Sequence, residues 1–476
     1  MIWPLLLTAF VGICAAVVLT RVPFLGEVRT IALTGKRAVR AMSRRGASDH
    51  WKEKVLQASA WRTIRATGRL TAMFVALGGA VWLLVEVVER VLYPNFAAIM
   101  VSPLGLVSAT VGAALWGVFQ RSAARKVGRS EYSGIEKLMH RLVLGNRGVA
   151  EACFDFDQRM TRSRQQPVDG EGHVFVAGLA RSGTTALMRA VHDSGQFRSL
   201  QYQDMPFVLA PTLWQNLRRK DAANLMKERE RAHGDGVMVG QQSPECLDEV
   251  FWQIFDGDRY IGPEVMRLHR PSNELQRKFQ SYVSAILTTS QAKRYLSKNN
   301  NNILRLPALK AMFPEAHILL MFRDPLDHAS SLLRQHRKFS QRQAQDPFVT
   351  EYMAWLAHHE FGSGHLPFVA EVAEGLPRDG LIYWLRQWSA VYARLLDTAP
   401  SDALFICYEE LCDDPSIWAS IADRLGIEAG DATFKRPRHE PIEVDACSDA
   451  LAYAREIYAR LRTRSALQRQ QAIAAE

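Results

Sequence analysis

The chain has 476 residues, 48% of them hydrophobic, and 59 Lys and Arg against 49 Asp and Glu give it a formal charge of +10. That length and apolar share exclude a disordered or fibrous chain and leave room for one large domain or two ordinary ones. The charge does not describe a nucleic-acid binder. Twelve Lys or Arg and three acids fall between Arg21 and Arg69, a net of +9 that leaves about +1 for everything else, whereas a nucleic-acid surface needs a broad basic face.

Apolar runs at Ile2–Thr20, Leu70–Val88 and Phe96–Phe119 approach the ~20 residues that cross a bilayer core and are read as three transmembrane helices in a membrane region spanning residues 1–130. The basic stretch 21–69 lies between the first two, and Arg121, Arg125, Lys126 and Arg129 follow the third. Both segments belong on the cytoplasmic side by the positive-inside rule, which places everything after Arg121 in the cytoplasm and makes membrane lipids expected partners. Within the basic stretch Trp51, Val55, Ala58, Trp61 and Ile64 recur on one helical face, suited to an anionic leaflet or to packing on a soluble domain. The six cysteines are scattered without a C-x-x-C pair, as expected of reduced thiols.

From about Gly134 short apolar runs alternate with helical stretches. This predicts an α/β domain over residues 131–476, with a mostly parallel central sheet flanked by helices. Strands are expected at Val174–Ala177, His317–Phe322 and Ala403–Cys407, and helices at Thr184–Asp193, Ile303–Phe313, Leu326–Arg337 and Leu381–Thr398.

The sharpest local signal is HVFVAGLARSGTTALMRAV, residues 173–191, in which an apolar strand runs through Gly178 to Thr185 into a helix. Glycines there let consecutive N–H groups and the helix N-terminus face one anion, a phosphate cradle. The spacing of Gly178 and Gly183 is that of a nucleotide-hydrolase loop, but Thr184 stands where that loop has its lysine, and Arg181 lies inside it. Chemistry at a γ-phosphate with Mg²⁺ therefore lacks its usual parts. A second strand-to-helix unit, HILLMFRDPLDHASSLLRQH at residues 317–336, ends its strand at Arg323. Asp324 suits the cap of the following helix and Pro325 its first position. Ser331 follows two turns on, and an arginine with a serine can grip a second phosphate.

With these paired motifs, the segment from about Gly172 to Ile427 resembles the sulfotransferases that use 3′-phosphoadenosine 5′-phosphosulfate (PAPS), closest in motif style to the protein-tyrosine, heparan-type and bacterial members. The resemblance implies a P-loop-like sulfotransferase fold, PAPS as sulfuryl donor with PAP as product, and no required metal. It implies that Arg181, Ser182, Gly183, Thr184 and Thr185 hold the 5′-phosphosulfate and that Arg323 and Ser331 hold the 3′-phosphate. Tyr408, in ICYEEL, matches a Y-E-x-L stretch of the tyrosyl and related branches. Lys298 stands where the family places a catalytic lysine before its second phosphate strand, with Arg181 beside it in charge stabilisation. Asp204, 23 residues beyond Arg181, stands where two branches carry a glutamate general base, and His192 and His336 are the fallbacks.

Two further segments invite a role. HHEFGSGH (358–365) tempts a metal reading through His358, His359, Glu360 and His365, but H-E-x-x-H is absent and adjacent helical histidines diverge. That segment and SPECLDEVFW (243–252) are candidates for lining an acceptor pocket, with Trp252, Trp355 and Phe361 able to stack on a sugar. The expected protein is thus an integral membrane enzyme of a bacterial inner membrane whose catalytic domain faces the cytoplasm. It would move a sulfuryl group from PAPS to a hydroxyl or amine of a membrane-associated lipid, glycan or other small acceptor. A membrane scaffold with a degenerate nucleotide-binding domain, and a P-loop kinase, are the alternatives, separable by sulfate transfer and by Mg²⁺-dependent ATP turnover.

Overall fold

The computed structural model describes residues 49–91, 93–110, 134–165, 172–217, 243–369, 375–436 and 448–475, with scattered residues before and between them. The chain divides into two compact units, Met1–Tyr132 and Ser133–Glu476.

In the first unit, helix α1 runs without a break from Asp49 to Val91. Forty-three residues at 1.5 Å each give about 65 Å, roughly twice a bilayer core. Among the described residues one helical segment, Glu53–Arg90, is long and apolar enough to cross a membrane. The basic stretch expected as a loop is therefore helical from Asp49 onward and continuous with the second expected span. Of the first expected span residues 4, 7, 8, 11, 12, 14 and 15 are described, each helical, and the rest lies outside the described residues, as do positions 111–119 of the third. The described part of the third is broken: a five-residue helix Phe96–Met100 closes at Val101, and helix resumes at 103–110. Pro103 explains the break, since it has no N–H to continue a helix and suits the start of one. Ser102 Oγ accepts the Gly105 N–H at 3.1 Å and so caps the restart.

The second unit is built on five parallel strands: β1 (Val174–Ala177), β2 (Phe197–Arg198), β3 (Arg294–Lys298), β4 (His317–Phe322) and β5 (Leu404–Cys407). Their order across the sheet is β2-β3-β1-β4-β5. Successive residues point to opposite faces, and both faces are covered, as parallel sheets require. Phe175, Tyr295, Ile318, Leu320 and Phe405 belong to one core. Val174, Val176, Leu296, Leu319, Met321 and Ile406 belong to the other. The second core is closed by α3 (Thr184–Asp193), α7 (Tyr408–Asp413) and α8 (Pro415–Arg424). The first is closed by α2 (Arg147–Thr161), α4 (Asn273–Leu287), α6 (Leu381–Thr398) and α9 (Ser448–Ala475) among others. Helix α5 (Pro325–Gln345) leads away from β4, with Asp324 Oδ1 accepting the Leu326 and Asp327 N–H groups at 3.0 and 3.2 Å.

The order of the strands fixes where a ligand can sit. From β1 the chain moves to one side of the sheet for β2 and β3, then crosses to the other for β4 and β5. The loops after β1 and β4 therefore flank a topological switch point at the carboxyl edge, the usual binding crevice of such sheets. Two expectations are corrected. Strand β3 adds a member to the sheet that its mixed sequence RYLSK did not signal. The helix expected over Ile303–Phe313 is instead a 3₁₀ turn, Asn300–Leu304, and a short helix, Leu306–Met312. The break falls at Arg305, whose wholly buried guanidinium is drawn to Glu249 at 2.7 and 2.8 Å.

Candidate active site

The loop after β1 is shaped by two glycines. Gly178 has φ +143° and a Cβ there would lie 2.5 Å from the Met321 carbonyl oxygen. Gly183 has φ +97° and its Cβ would lie 2.3 Å from the Tyr408 ring. No other residue fits either place. Between them Arg181 holds a left-handed φ of +72°, a strained value for a side chain with a Cβ and the kind of outlier that collects at functional sites. Thr184 and Thr185 open α3 directly after Gly183, where the first N–H groups of a helix lack intrahelical partners and favour an anion.

Arg181 is also where the two expected phosphate motifs meet. Arg323 Nη1 donates to the Arg181 carbonyl at 3.1 Å, and Arg181 Nε donates to Ser331 Oγ at 3.2 Å. Arg323 is buried, 5% exposed, 5.7 Å from the Tyr408 ring centroid, with its Nε 3.6 Å from Glu409 Oε1. Among the described residues neither Arg323 Nε nor Ser182 Oγ has a hydrogen-bond partner, although both atoms are buried. Buried donors left open beside glycines that admit no side chain suit a ligand rich in acceptor oxygens. The structure thus brings Arg181, Ser182, Gly183, Thr184, Thr185, Arg323, Ser331 and Tyr408 into one neighbourhood.

Sequence reasoning missed the residue that anchors this loop from below. His328, one turn into α5, donates from Nε2 to the Ala180 carbonyl at 2.8 Å and accepts at Nδ1 from Trp388 Nε1 at 3.1 Å. That pairing needs a neutral ring. Burial, with Arg323 and Arg181 nearby, lowers its pKa to about 3. Its signal was the spacing: four residues after the capping Asp324, it must face inward toward the sheet.

Lys298 ends β3, level with Val176 on β1, so it reaches the same edge one strand over. Its Nζ lies 4.0 Å from Glu245 Oε1. Glu245 in turn accepts from the Tyr202 hydroxyl at 2.9 Å and the Cys246 N–H at 3.0 Å. Asp204 is held differently. Arg198 Nη2 donates to both of its oxygens at 2.9 and 2.8 Å, and the Gln201 N–H donates at 2.8 Å. Its carboxylate pins the turn that carries Tyr202, and among the described residues no hydrogen bond or ion pair joins it to Lys298. His192 lies beside Gln201 at 3.4 Å, and His336 accepts the Gly362 N–H at 3.2 Å.

Beneath Lys298 lies a buried polar layer. Asp248 accepts from Ser297 Oγ at 2.6 Å, Tyr295 at 3.2 Å and Asn299 Nδ2 at 3.1 Å. Asn299 also donates to Glu249 at 2.6 Å. Burial pushes the Asp248 carboxyl up to about 6 against the pull of those bonds. Trp252 and Phe361, expected as sugar platforms, are core residues with 0% and 3% exposure; Phe361 stacks on Phe339.

A model of the sulfotransferase family matches residues 173–431. Among solved structures the chain is similar to sulfotransferase STF1 from Mycobacterium tuberculosis H37Rv, at 17% identity over 70% of this chain and 88% of that one, with a TM-score of 0.40. It is also similar to sulfotransferase STF9 from Mycobacterium avium, at 14% identity over 65% and 72%, TM-score 0.34. A sulfotransferase from Alicyclobacillus acidocaldarius follows, at 16% identity over 62% and 95%, TM-score 0.31. No curated relative matches the sequence.

Proposed function

The chain belongs to the sulfotransferase family, and on that premise we propose that it moves the sulfuryl group of PAPS onto a hydroxyl or amine of a membrane-associated lipid or glycan. The observation that carries this reading is the meeting of two phosphate grips at one residue: Arg181 joins the glycine loop to both Arg323 and Ser331. A donor with a 5′-phosphosulfate and a separate 3′-phosphate has the two anionic ends such a pair would hold. In this reading the glycine loop, Thr184 and Thr185 take the 5′ end, and Arg323 and Ser331, beside Tyr408, take the 3′ end. Lys298 and Arg181 stabilise charge as the S–O bond to the phosphate lengthens. Asp204 acts by holding the Tyr202 turn against Glu245.

The membrane assignment rests on α1, where Phe74, Val75, Trp82, Leu83 and Val87 are all more than half exposed, and on the basic residues preceding them, which favour an anionic cytoplasmic surface. We place the catalytic unit in the cytoplasm on that basis.

The test is PAP binding by calorimetry and transfer of ³⁵S from PAPS by the full chain in lipid nanodiscs. Binding is expected, and Arg323→Ala should weaken it about tenfold or more, the scale of one lost charge-assisted contact. A chain that binds neither PAP nor PAPS sinks the proposal.

A further inference from the structure

The reaction needs a group that removes the acceptor proton, and the loop at 357–360 contains one held in place. Ala357 has a left-handed φ of +51°; among the described residues of this unit it and Arg181 are the non-glycine positions with positive φ. The strain is fixed from the Lys298 side: Asn301 Nδ2 donates to the Ala357 carbonyl at 3.2 Å, and Asn300 Nδ2 donates to Glu360 Oε1 at 2.8 Å. Glu360 is buried, and His358 Nδ1 lies 3.3 and 3.4 Å from its two oxygens. With Nδ1 turned to the carboxylate, Nε2 has no hydrogen-bond partner among the described residues, and the side chain keeps 24% exposure. A carboxylate behind one nitrogen and an open second nitrogen is the arrangement of a positioned imidazole base.

The same ring belongs to the Lys298 cluster. The groups that act on it electrostatically are Glu360, Lys298 and Glu245, and the buried Cys246 thiol feels the same three together with Asp248. Asp204 has both oxygens engaged by Arg198.

We propose that His358 is the general base of the sulfuryl transfer and that Glu360 is its positioning residue. The assignment rests on the reaction proposed above. The acceptor O–H or N–H gives its proton to His358 Nε2 as the acceptor atom forms its bond to sulfur. The bond from sulfur to the 5′-phosphate oxygen breaks, PAP leaves with that electron pair, and the proton later passes to solvent. Burial alone would lower the His358 pKa, but Glu360 more than offsets this and raises it, with Glu245 assisting and Lys298 opposing. The neutral, working form therefore fills as pH rises through a value above that of a free imidazole.

The experiment uses the full chain in nanodiscs, with ³⁵S-PAPS as donor and water or glucosyl-diacylglycerol vesicles as acceptor, under single turnover. His358→Gln is expected to slow transfer by about 10²-fold with PAP affinity unchanged. Glu360→Gln should move the acid limb of the rate–pH profile to lower pH. In histidine-labelled wild type, the NMR titration of His358 should coincide with that limb. Transfer by His358→Gln at the wild-type rate, an unmoved limb in Glu360→Gln, or a titration that misses the limb overturns the assignment. So does a wild type that binds PAP but transfers to neither acceptor. A chain that fails to bind PAP instead overturns the donor reading.

Discussion

At the β1–β4 switch point the imidazole of His328 is sealed between a loop carbonyl and Trp388 and kept neutral, its pKa lowered to about 3. Beyond β3, beside the Asn300 and Asn301 turn, the imidazole of His358 faces a buried carboxylate and its pKa is raised. The two rings mark two ways of building half a site. In the proposed reading the 5′ end of the donor half is made of backbone: glycines, a left-handed Arg181 and a helix N-terminus, with His328 bracing them as a neutral hydrogen-bonding strut. The acceptor half we propose is made of side chains from three separated segments, around 245, 298 and 358, joined through buried carboxamides and carboxylates. A backbone cradle recognises a donor of constant shape. A side-chain network lets proton affinity be tuned and the acceptor varied without disturbing the cradle.

The contrast is broken most severely by adding a methyl group to the cradle. Gly183→Ala places a Cβ 2.3 Å from the Tyr408 ring at a φ of +97°. Strain of this kind costs on the order of 3 kcal/mol, so PAP affinity should fall by about 10²-fold in a calorimetric titration. The His358 NMR titration should stay where it is in the wild type. A His358 signal that moves with Gly183→Ala would show the two halves to be one mechanical unit.

The same division explains what could be read in advance. Strand β1, the glycine loop, α3 and the Arg323–Ser331 pair are contiguous, and their residue types are dictated locally: only glycine tolerates those φ values, and only Asp324 and Pro325 in that order start α5 so abruptly. Lys298 was reached through resemblance alone, because the mixed sequence RYLSK carries no strand period and the acids that meet its polar side chains, Asp248 and Glu245, are remote. Ser297 bonds Asp248, 49 positions away. The H-x-E of His358 and Glu360 looked like a failed metal motif, since spacing does not say which member is buried or that Asn300 closes on it. Asp204 stood at the expected distance from Arg181, but Arg198, six residues before it, takes its carboxylate. Trp252 and Phe361 are apolar in sequence whether they face a sugar or the core, and the core has them.

A middle-sized effect separates the halves by pH. An unfolded histidine titrates near 6.5, whereas folded His328 resists protonation to about 3. As pH falls below 6.5 the unfolded chain takes the proton first, so the stability supplied by this ring is full above 6.5 and drains toward 3, by about 1.4 kcal/mol per unit. Burial also depresses His173 and His317 to about 4, and His269 and His365 to about 3. Asp157 and Asp248, raised to about 6, act in the opposite direction, gaining stability as they protonate below that value. The histidines outweigh them, and unfolding free energy from urea melts should drop between pH 6.5 and 5. His328→Gln keeps a donor for Ala180 without a titratable ring and should remove about 2 kcal/mol of that drop. An identical slope in the variant would mean that the loop is not braced by a neutral imidazole.

The smallest effect tests how far the donor half extends. Helix α9 begins at Ser448, beyond the segment matched by the family model, yet its Tyr458 hydroxyl donates to Glu409 Oε2 at 3.3 Å. The other oxygen of Glu409 accepts the Asp324 N–H at 3.2 Å and lies 3.6 Å from Arg323 Nε. The hydroxyl therefore helps set the carboxylate that sets the arginine. One neutral hydrogen bond contributes about 1 kcal/mol or less, so Tyr458→Phe should change PAP affinity by about threefold. Arg462→Ala, on the same helix but paired with the neighbouring Glu410 at an exposed position, should leave it unchanged, because a surface ion pair is worth little and this one does not touch Glu409. Equal effects from the two variants would mean that α9 merely stabilises the fold. A shift confined to Tyr458→Phe would make a helix outside the family segment part of the donor grip, and would place the boundary between the two halves at Glu409 rather than at the end of β4.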